Sequence, residues 1–550
     1  MKITLVLLIC LPFCFFSQNS SFWISFTDKN NSPYSVNLPS QFLSTKSIER
    51  RTNAGISIVA NDLPVNETYI DSILVSGNFE LLQASKWFNA IAITTDDTMS
   101  LNTILNYSSV SNVVQVKSLK QNKIIDKFED ISITKNEINL LSIPHYPYGY
   151  SYNQLALHGA NKMQDLGFRG QGIDIAIIDA GFFRANELHA LEDVFNEGRI
   201  LSTRDFVNGG ESVYEDHQHG TMVLSVIAGS IDGQFKGAAP LANFHLLRSE
   251  DVGSETLLEE YNWIAAAEYA DSVGADIINT SLGYTTFDDS LQNHTYADLD
   301  GNTTVIAKAA DIAASKGILL CISAGNSGAS AWQYISTPAD ADSVLTVAAV
   351  DSNGTYAFFS SVGPAADNDI KPNVASVGWN TYLIAPFTGE VMRGNGTSFS
   401  APMMTGMAAC LWQSLPNKTN MEIMELIEQS SSQYSNPDSL LGYGLPNVFD
   451  AYNKETGVVY SPPKEDIIED VFPVPVTDLV NIIFVSNISQ GIVIRIYSEK
   501  GDLVVSVSET VSQGKNQLVL SQLKSLPAGS YIVEIESGQG SRATATIVVI

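Results

Sequence analysis

Gly172-Ile173-Asp174-Ile175-Ala176-Ile177-Ile178-Asp179-Ala180-Gly181-Phe182 is a short apolar run that stops on a carboxylate. An unbroken apolar run of strand length, closed by a small-residue turn, reads as a strand buried on both faces in a parallel sheet. Asp179 then falls at the carboxyl end of that strand, the edge where open α/β sheets build their sites. Alone, an Asp there is equally well explained as a turn cap. Two later stretches give it company. They are Asp216-His217-Gln218-His219-Gly220-Thr221-Met222-Val223 and Asn395-Gly396-Thr397-Ser398-Phe399-Ser400-Ala401-Pro402. In the order Asp, His, Ser they supply an orienting acid, a general base and a nucleophile, the minimal set for covalent acyl transfer. His219 rather than His217 carries the Gly-Thr that leads into an apolar helix. Ser398 stands just before a small-residue helix expected over Ser400 to Trp412. Pro402 would lie in its first turn, where a missing N–H costs nothing. By itself Ser398 is also an ordinary N-cap serine.

A fourth stretch, Gly317-Ile318-Leu319-Leu320-Cys321-Ile322-Ser323-Ala324-Gly325-Asn326-Ser327-Gly328, is another buried strand, and it delivers Asn326 onto a glycine-rich turn. A side-chain amide there can donate to the negative charge that acyl transfer develops on the carbonyl oxygen.

These motifs together resemble subtilisin-like serine endopeptidases (subtilases), over roughly residues 150–455. The order Asp, His, Ser separates them from the chymotrypsin and α/β-hydrolase arrangements. The resemblance implies a doubly wound, mainly parallel-sheet α/β catalytic domain in which Asp179, His219 and Ser398 form the triad. It implies that Asn326 and the Ser398 backbone N–H form the oxyanion hole. Ser281, Leu282, Gly283, Ala324 and Gly325 would wall the primary substrate pocket, beside a strand, Ile277 to Gly283, that pairs with extended substrate. Protein or peptide is the implied substrate. No organic cofactor is required, and a structural calcium ion is compatible with the family. Met222 stands where the family usually has a second His, Leu224-Ser225 where it has Ala-Gly, and Ala180 where it has Thr or Ser. None of these does chemistry.

The chain holds 30 Lys and Arg against 59 Asp and Glu, a net charge of −29. That balance excludes nucleic acid and anionic membrane surfaces as partners, since both need basic patches. With 45% hydrophobic and 16% charged residues it is globular, and 550 residues call for several domains. Met1-Lys2 followed by the apolar run Ile3 to Phe16 reads as a signal peptide, residues 1–18, too short to span a bilayer. Of four cysteines, Cys10 and Cys14 leave with it. Cys321 and Cys410 are expected as buried free thiols rather than a disulfide.

Residues 19–145 alternate strand-like pieces (22–26, 90–94, 113–116) with helical ones (66–74, 100–107), an α+β region. It resembles a propeptide, a permanent accessory domain being the alternative. Ile143 to Tyr150 reads as the linker where cleavage occurs. Residues 146–455 carry the peptidase domain, with strands at 173–178, 242–248, 275–281, 318–323 and 344–349. Helices are expected at 152–166, 254–273 and 304–316. Tyr284 to Thr303 is an insertion, in which Asp298, Asp300 and Asn302 resemble the start of a calcium loop but read equally as an acidic turn. Residues 456–470 form a linker. Residues 471–550 are short alternating strands, a small β-sandwich, whose Phe472-Pro473-Val474-Pro475 and Leu526-Pro527-Ala528-Gly529 resemble the C-terminal sorting domain of the Bacteroidetes type IX secretion system. A carbohydrate- or protein-binding accessory domain is the alternative there. The expectation is a monomeric, exported endopeptidase, secreted or held at the cell surface, with the secretion machinery as partner. The rivals are a narrower acyl hydrolase, such as a processing peptidase or esterase, and a binding protein with an incidental protease core.

Overall fold

The strand that ends on Asp179 lies in the middle of the molecule. The computed structural model describes residues 20–118, 133–134, 148–458, 466–477, 479–521, 523 and 526–550; the expected signal peptide and the cleavage region before residue 148 lie outside the described residues. Seven strands, β1 (Asp174–Asp179), β2 (Ile200–Asp205), β3 (Asn243–Arg248), β4 (Ile277–Thr280), β5 (Leu319–Ser323), β6 (Leu345–Val350) and β7 (Val374–Val377), form one parallel sheet. Its order is β7-β6-β5-β4-β1-β3-β2. Every residue of β1 is buried. Ile175 and Ile177 join the layer of α1 (His219–Ala228) and α4 (Thr397–Ser414), while Ala176 and Ile178 join that of α2 (Leu257–Val273) and α3 (Val305–Ser315). Covering on both faces is what removes polar alternation from the sequence.

The chain leaves β1 toward β2 and β3 on one side and returns to its other side at β4. That reversal opens a crevice above the strand ends, and Asp179 stands in it.

The expected helix over 152–166 is two short ones, Tyr152–Ala156 and Ala160–Asp165. Gly159 breaks it at φ +69°, pressed so closely on Asn447 and Phe449 that a Cβ would lie 2.3 Å from Asn447 Oδ1. α2 starts three residues later than expected, at Leu257, where Glu259 accepts the Thr256 N–H at 2.9 Å. β2 escaped the sequence reading because it is an edge strand with several residues open to water.

The N-terminal region is α+β as expected. Strands Glu80–Ser85, Ala90–Thr95, Ser20–Phe26 and Val110–Lys117 form an antiparallel sheet in that order, with helices Thr45–Asn53 and Glu67–Leu74 beside it. Trp23, Trp87, Ala90, Ala92 and Val116 are part of the same apolar core as α2, and Trp23 lies 4.3 Å, centroid to centroid, from Tyr261. Charge reinforces the contact. Asp271 of α2, fully buried, takes Arg50 (2.6 Å), Arg51 (2.9 Å) and Lys86 (2.9 Å). Burial alone would raise its pKa, but Lys86, Arg50 and Arg51 hold it well below the carboxylate range. One turn earlier, Glu268 accepts from the Lys86 and Trp87 backbone N–H groups at 2.7 and 3.0 Å and from the Ser85 hydroxyl.

Residues 467–550 form two facing antiparallel sheets, Ile467–Phe472 with Val480–Ser486 and Gly514–Leu520, and Leu503–Val511 with Gln490–Ser498, Gly529–Ser537 and Arg542–Val549. Ile482, Phe484, Ile494, Ile496, Val533 and Ile547 fill the space between. The first strand begins at Ile467, inside the stretch expected as linker. Among the described residues no helix is long and apolar enough to cross a membrane.

Removing one partner of a buried ion cluster leaves charges without compensation and costs about 3–5 kcal/mol. Asp271→Ala in a Ser398→Ala background should therefore lower the urea midpoint for detaching the N-terminal domain, read by tryptophan fluorescence. An unchanged midpoint would show that apolar contacts alone hold it.

Candidate active site

Asp179 Oδ1 lies 2.7 Å from His219 Nδ1, and both side chains are fully buried. The same oxygen accepts the Ala180 N–H at 2.7 Å, which fixes the carboxylate at the strand end. Helix α1 can bring His219 so close because of two glycines. A Cβ on Gly220 would come within 2.5 Å of the Gly181 carbonyl and 3.0 Å of Asp179 Cβ. One on Gly181, whose φ is +142°, would meet the His217 backbone at 2.6 Å. Thr221 completes the joint, its hydroxyl donating to Phe183 O at 2.9 Å. The His-Gly-Thr pattern is thus a packing requirement. His217 lies beside His219, its ring 6.5 Å away, and its Nδ1 accepts the His219 N–H at 3.3 Å.

Ser398 is 5% exposed and is the second residue of α4, which starts at Thr397 and not at Ser400. Pro402 is therefore beyond the first turn, contrary to the sequence reading, and deprives the Ser398 carbonyl of its helical donor. The Ser281 hydroxyl replaces it, donating to Ser398 O at 3.0 Å, and Ser398 Oγ donates to Ser281 O at 3.4 Å. Asn279 in turn holds Ser281 Oγ at 3.2 Å and accepts the Thr405 hydroxyl at 2.9 Å. The proline that weakens the helix ties the serine to β4. Phe399 lays its ring 6.3 Å from that of His219, nearly parallel.

Asn326 follows β5 and is exposed. Its Oδ1 accepts both the backbone N–H (2.9 Å) and the hydroxyl (3.0 Å) of Thr397, which turns the NH₂ the other way. A methyl group on Gly396, whose φ is +151°, would stand 3.6 Å from Asn326 Nδ2, 3.7 Å from Ser398 N and 3.8 Å from Ser398 Cβ. The space that glycine leaves open is bordered by two N–H donors, one of them in a helix's first turn with no intrahelical acceptor.

The expected pocket walls lie on both sides. Leu282 and Ala324 are buried, Gly283 is exposed and Gly325 is half-buried. Ser336, which the sequence reading missed, stands beside both glycines: its Oγ would be 2.0 Å from a Cβ on Gly283 and 3.2 Å from one on Gly325. No local signal marks Ser336, because the contact spans distant parts of the chain. Thr397 was also missed, although its place before Ser398 was a signal.

The calcium-loop candidates are turn caps. Asp298 accepts the Thr295 N–H and hydroxyl, both at 2.7 Å, and Asp300 accepts the Asn302 and Thr303 N–H groups at 2.9 and 2.7 Å. Asn302 reaches Asp342 at 3.4 Å. Among the described residues no three His, Cys, Asp or Glu side chains converge as a metal would need. Cys321 and Cys410 are free and buried, and burial pushes both thiols up, away from nucleophilic use.

In this doubly wound sheet Asp179 and His219 are paired at the switch point, and Ser398 stands at the start of the helix whose Phe399 lies against His219. Residues 170–444 match the subtilase family, residues 21–130 a Bacteroidota propeptide domain of peptidase S8, and residues 470–550 a secretion-system C-terminal sorting domain. The chain belongs to the subtilase family. It is 30% identical over 308 residues to serine protease AprX of Bacillus subtilis, covering 50% of this chain and 65% of AprX. To subtilisin DY of Bacillus licheniformis it is 29% identical over 309 residues, 55% of this chain and 97% of that protein. Among solved structures, the epidermin leader peptide processing serine protease of Staphylococcus aureus shares the fold with a TM-score of 0.52 at 17% identity, over 80% of this chain and all of that one.

Asn326→Ala should lower kcat about 10²–10³-fold with KM nearly unchanged, the loss known for the corresponding asparagine of subtilisin. Thr397→Val, which removes one of the two hydrogen bonds that hold Asn326 Oδ1 and leaves the backbone one, should give a smaller loss of the same kind in peptide hydrolysis. An equal rise in KM for either would place Asn326 in ground-state binding instead.

Proposed function

We propose that this protein is a secreted serine endopeptidase that cuts internal peptide bonds through an acyl-enzyme on Ser398. The observation that carries the reading is the open space before Gly396, bordered by Asn326 Nδ2 and Ser398 N. With the imidazole's Nδ1 committed to Asp179, Nε2 is the nitrogen left to take the Ser398 proton as Oγ attacks the carbonyl carbon. The oxygen then becomes an oxyanion in the space before Gly396, where two donors meet it. Collapse of that intermediate breaks the C–N bond, and His219 gives its proton to the leaving amine. Water repeats the cycle to release the acid. Extended peptide would lie along Ser281, Leu282 and Gly283, its side chain between those residues and Ala324-Gly325, above Ser336.

The N-terminal domain acts as a propeptide that occupies α2 until removed, and the C-terminal sandwich is read by the export machinery, which places the enzyme outside the cell or on its surface. Both proposals draw on the matched families.

A fluorophosphonate probe should add one mass increment to the purified wild type and none to Ser398→Ala, read by intact mass. Absence of the adduct from folded, propeptide-free wild type would sink the enzyme reading in favour of a binding protein.

Burial raises the Glu268 carboxyl to about 7, with Lys86 and the donors from Ser85, Lys86 and Trp87 opposing it. With the propeptide gone, that carboxyl returns toward its ordinary value of 4.5. Between the two values the complex holds a proton that the separated parts lack, so attachment strengthens as pH falls and weakens as pH rises through 7. Propeptide inhibition of the processed enzyme should show that slope, and Glu268→Gln should flatten it.

A further inference from the structure

Lys371 is fully buried. Its ammonium donates to Ala341 O at 2.7 Å, Val344 O at 3.2 Å and Asn373 Oδ1 at 3.2 Å, three acceptors for three protons. The nearest carboxylate, on Asp369, is 3.7 Å away and partly exposed. A buried charge ordinarily sits against an opposite charge. Here neutral oxygens hold it directly, the ligand set of a hard cation, and the carboxylate stands further off at ion-pair distance. Burial lowers the lysine's pKa, and Asp369, Asp340, Glu428 and Asp311 oppose the shift. Since all three partners are acceptors, the charged form is the one the cage fits. The cage is itself braced: Asn373 Oδ1 also accepts the Thr346 N–H at 2.9 Å, and its NH₂ donates to Glu428 at 2.9 Å.

Two of those carbonyls belong to the stretch 336–344, which carries Ser336. Ser336 N donates to Ala324 O at 3.3 Å. Thr337 and Tyr284 exchange two backbone hydrogen bonds at 2.8 and 3.2 Å, joining the stretch to the residue after Gly283. Ala339 O accepts the Thr346 hydroxyl. The stretch therefore touches both pocket walls at one end and the lysine at the other.

We propose that Lys371 is a positioning residue for the acyl-side pocket, a cation built into the chain that clamps residues 336–344 and so holds Ser336 between Gly283 and Gly325. The inference rests on the protease reading above. It assigns Lys371 to substrate binding, through the loop, and not to the chemistry at Ser398.

The test compares wild type, Lys371→Ala and Lys371→Met, each expressed as the full chain and allowed to process, on a tetrapeptide p-nitroanilide. Leaving two buried carbonyls without a donor should raise KM about tenfold in both variants, with kcat within about threefold. Fluorophosphonate labelling of Ser398 should persist. Propylammonium, which replaces the atoms that alanine lacks, should return the KM of Lys371→Ala toward wild type, and n-propanol should not. A wild-type KM in Lys371→Met, or equal rescue by the alcohol, would overturn the proposal, because packing alone would then suffice. If neither variant accumulates folded, expression with each additive decides: recovery with propylammonium alone supports it, and recovery with both or neither overturns it. Wild type that fails to label would sink the protease reading and this inference with it, whereas labelled wild type with an unmoved KM in Lys371→Met sinks this inference alone.

Discussion

The contact between Asp179 and His219 is the constraint on which the rest of the structure depends. It joins the last residue of a central strand to the first residue of a helix, with both side chains out of water. A strand end and a helix start meet that closely only where the sheet order reverses and leaves the edge open. They meet at hydrogen-bonding distance only because Gly181 and Gly220 offer no side chains. In a buried site the bond is strong and water cannot compete for either group. The imidazole's tautomer and direction are therefore set before any substrate arrives.

The same economy appears at the serine. Pro402 removes a helical hydrogen bond, and the vacancy is filled by Ser281, the residue after β4. A defect inside α4 thus becomes its registration against the sheet. Thr397 performs the matching service for Asn326 from the other side. Ser398 at the start of α4, Asn326 after β5 and Ser281 after β4 are thus joined by hydrogen bonds, Ser281 to Ser398 and Asn326 to Thr397.

Much of this was legible in the sequence, for identifiable reasons. β1, β5 and β6 are buried on both faces, so their residues form nearly unbroken apolar runs that need no context to read, while β3 and β4 keep shorter apolar pairs among polar residues. Asp179, His219, Ser398 and Asn326 each end or begin such a run, so their chemistry stood out. The edge strand β2 and the short β7 were missed because exposure and brevity dilute the pattern. Gly159 hid a helix break, since a glycine's φ depends on Asn447 and Phe449, far along the chain. Ser336 and Lys371 were invisible for the same reason: a serine and a lysine in a loop look like solvent-facing residues until the fold surrounds them. The place of Pro402 was misread because α4 begins at Thr397, under Asn326's cap, and caps made by distant residues leave no local trace.

Electrostatics explains how a strongly acidic protein holds its own N-terminal domain. Residues 20–118 contain six cations, Lys29, Lys46, Arg50, Arg51, Lys86 and Lys117. All but Lys29 pair with carboxylates of the catalytic domain: Lys46 with Asp174 and Asp276, the next three with Asp271, and Lys117 with Asp251. Lys29 instead donates to the backbone carbonyls of Ala60, Asn61, Leu63 and Lys86. The positive charge of the domain is thus spent almost wholly on one face. Its layout is graded by depth. Lys46 and Lys117 lie at the rim, 34% and 28% exposed, where salt screens them. Arg50, Arg51 and Lys86 lie at the centre, under a tenth exposed, where screening does not reach. Salt therefore loosens only the edge of the contact, and the centre yields only when the buried charges are parted. Departure of the domain leaves Asp174 and Asp276 facing each other without the ammonium they shared at 2.7 Å each. Release would thus be opposed by like charge on the catalytic domain as well as by lost contact.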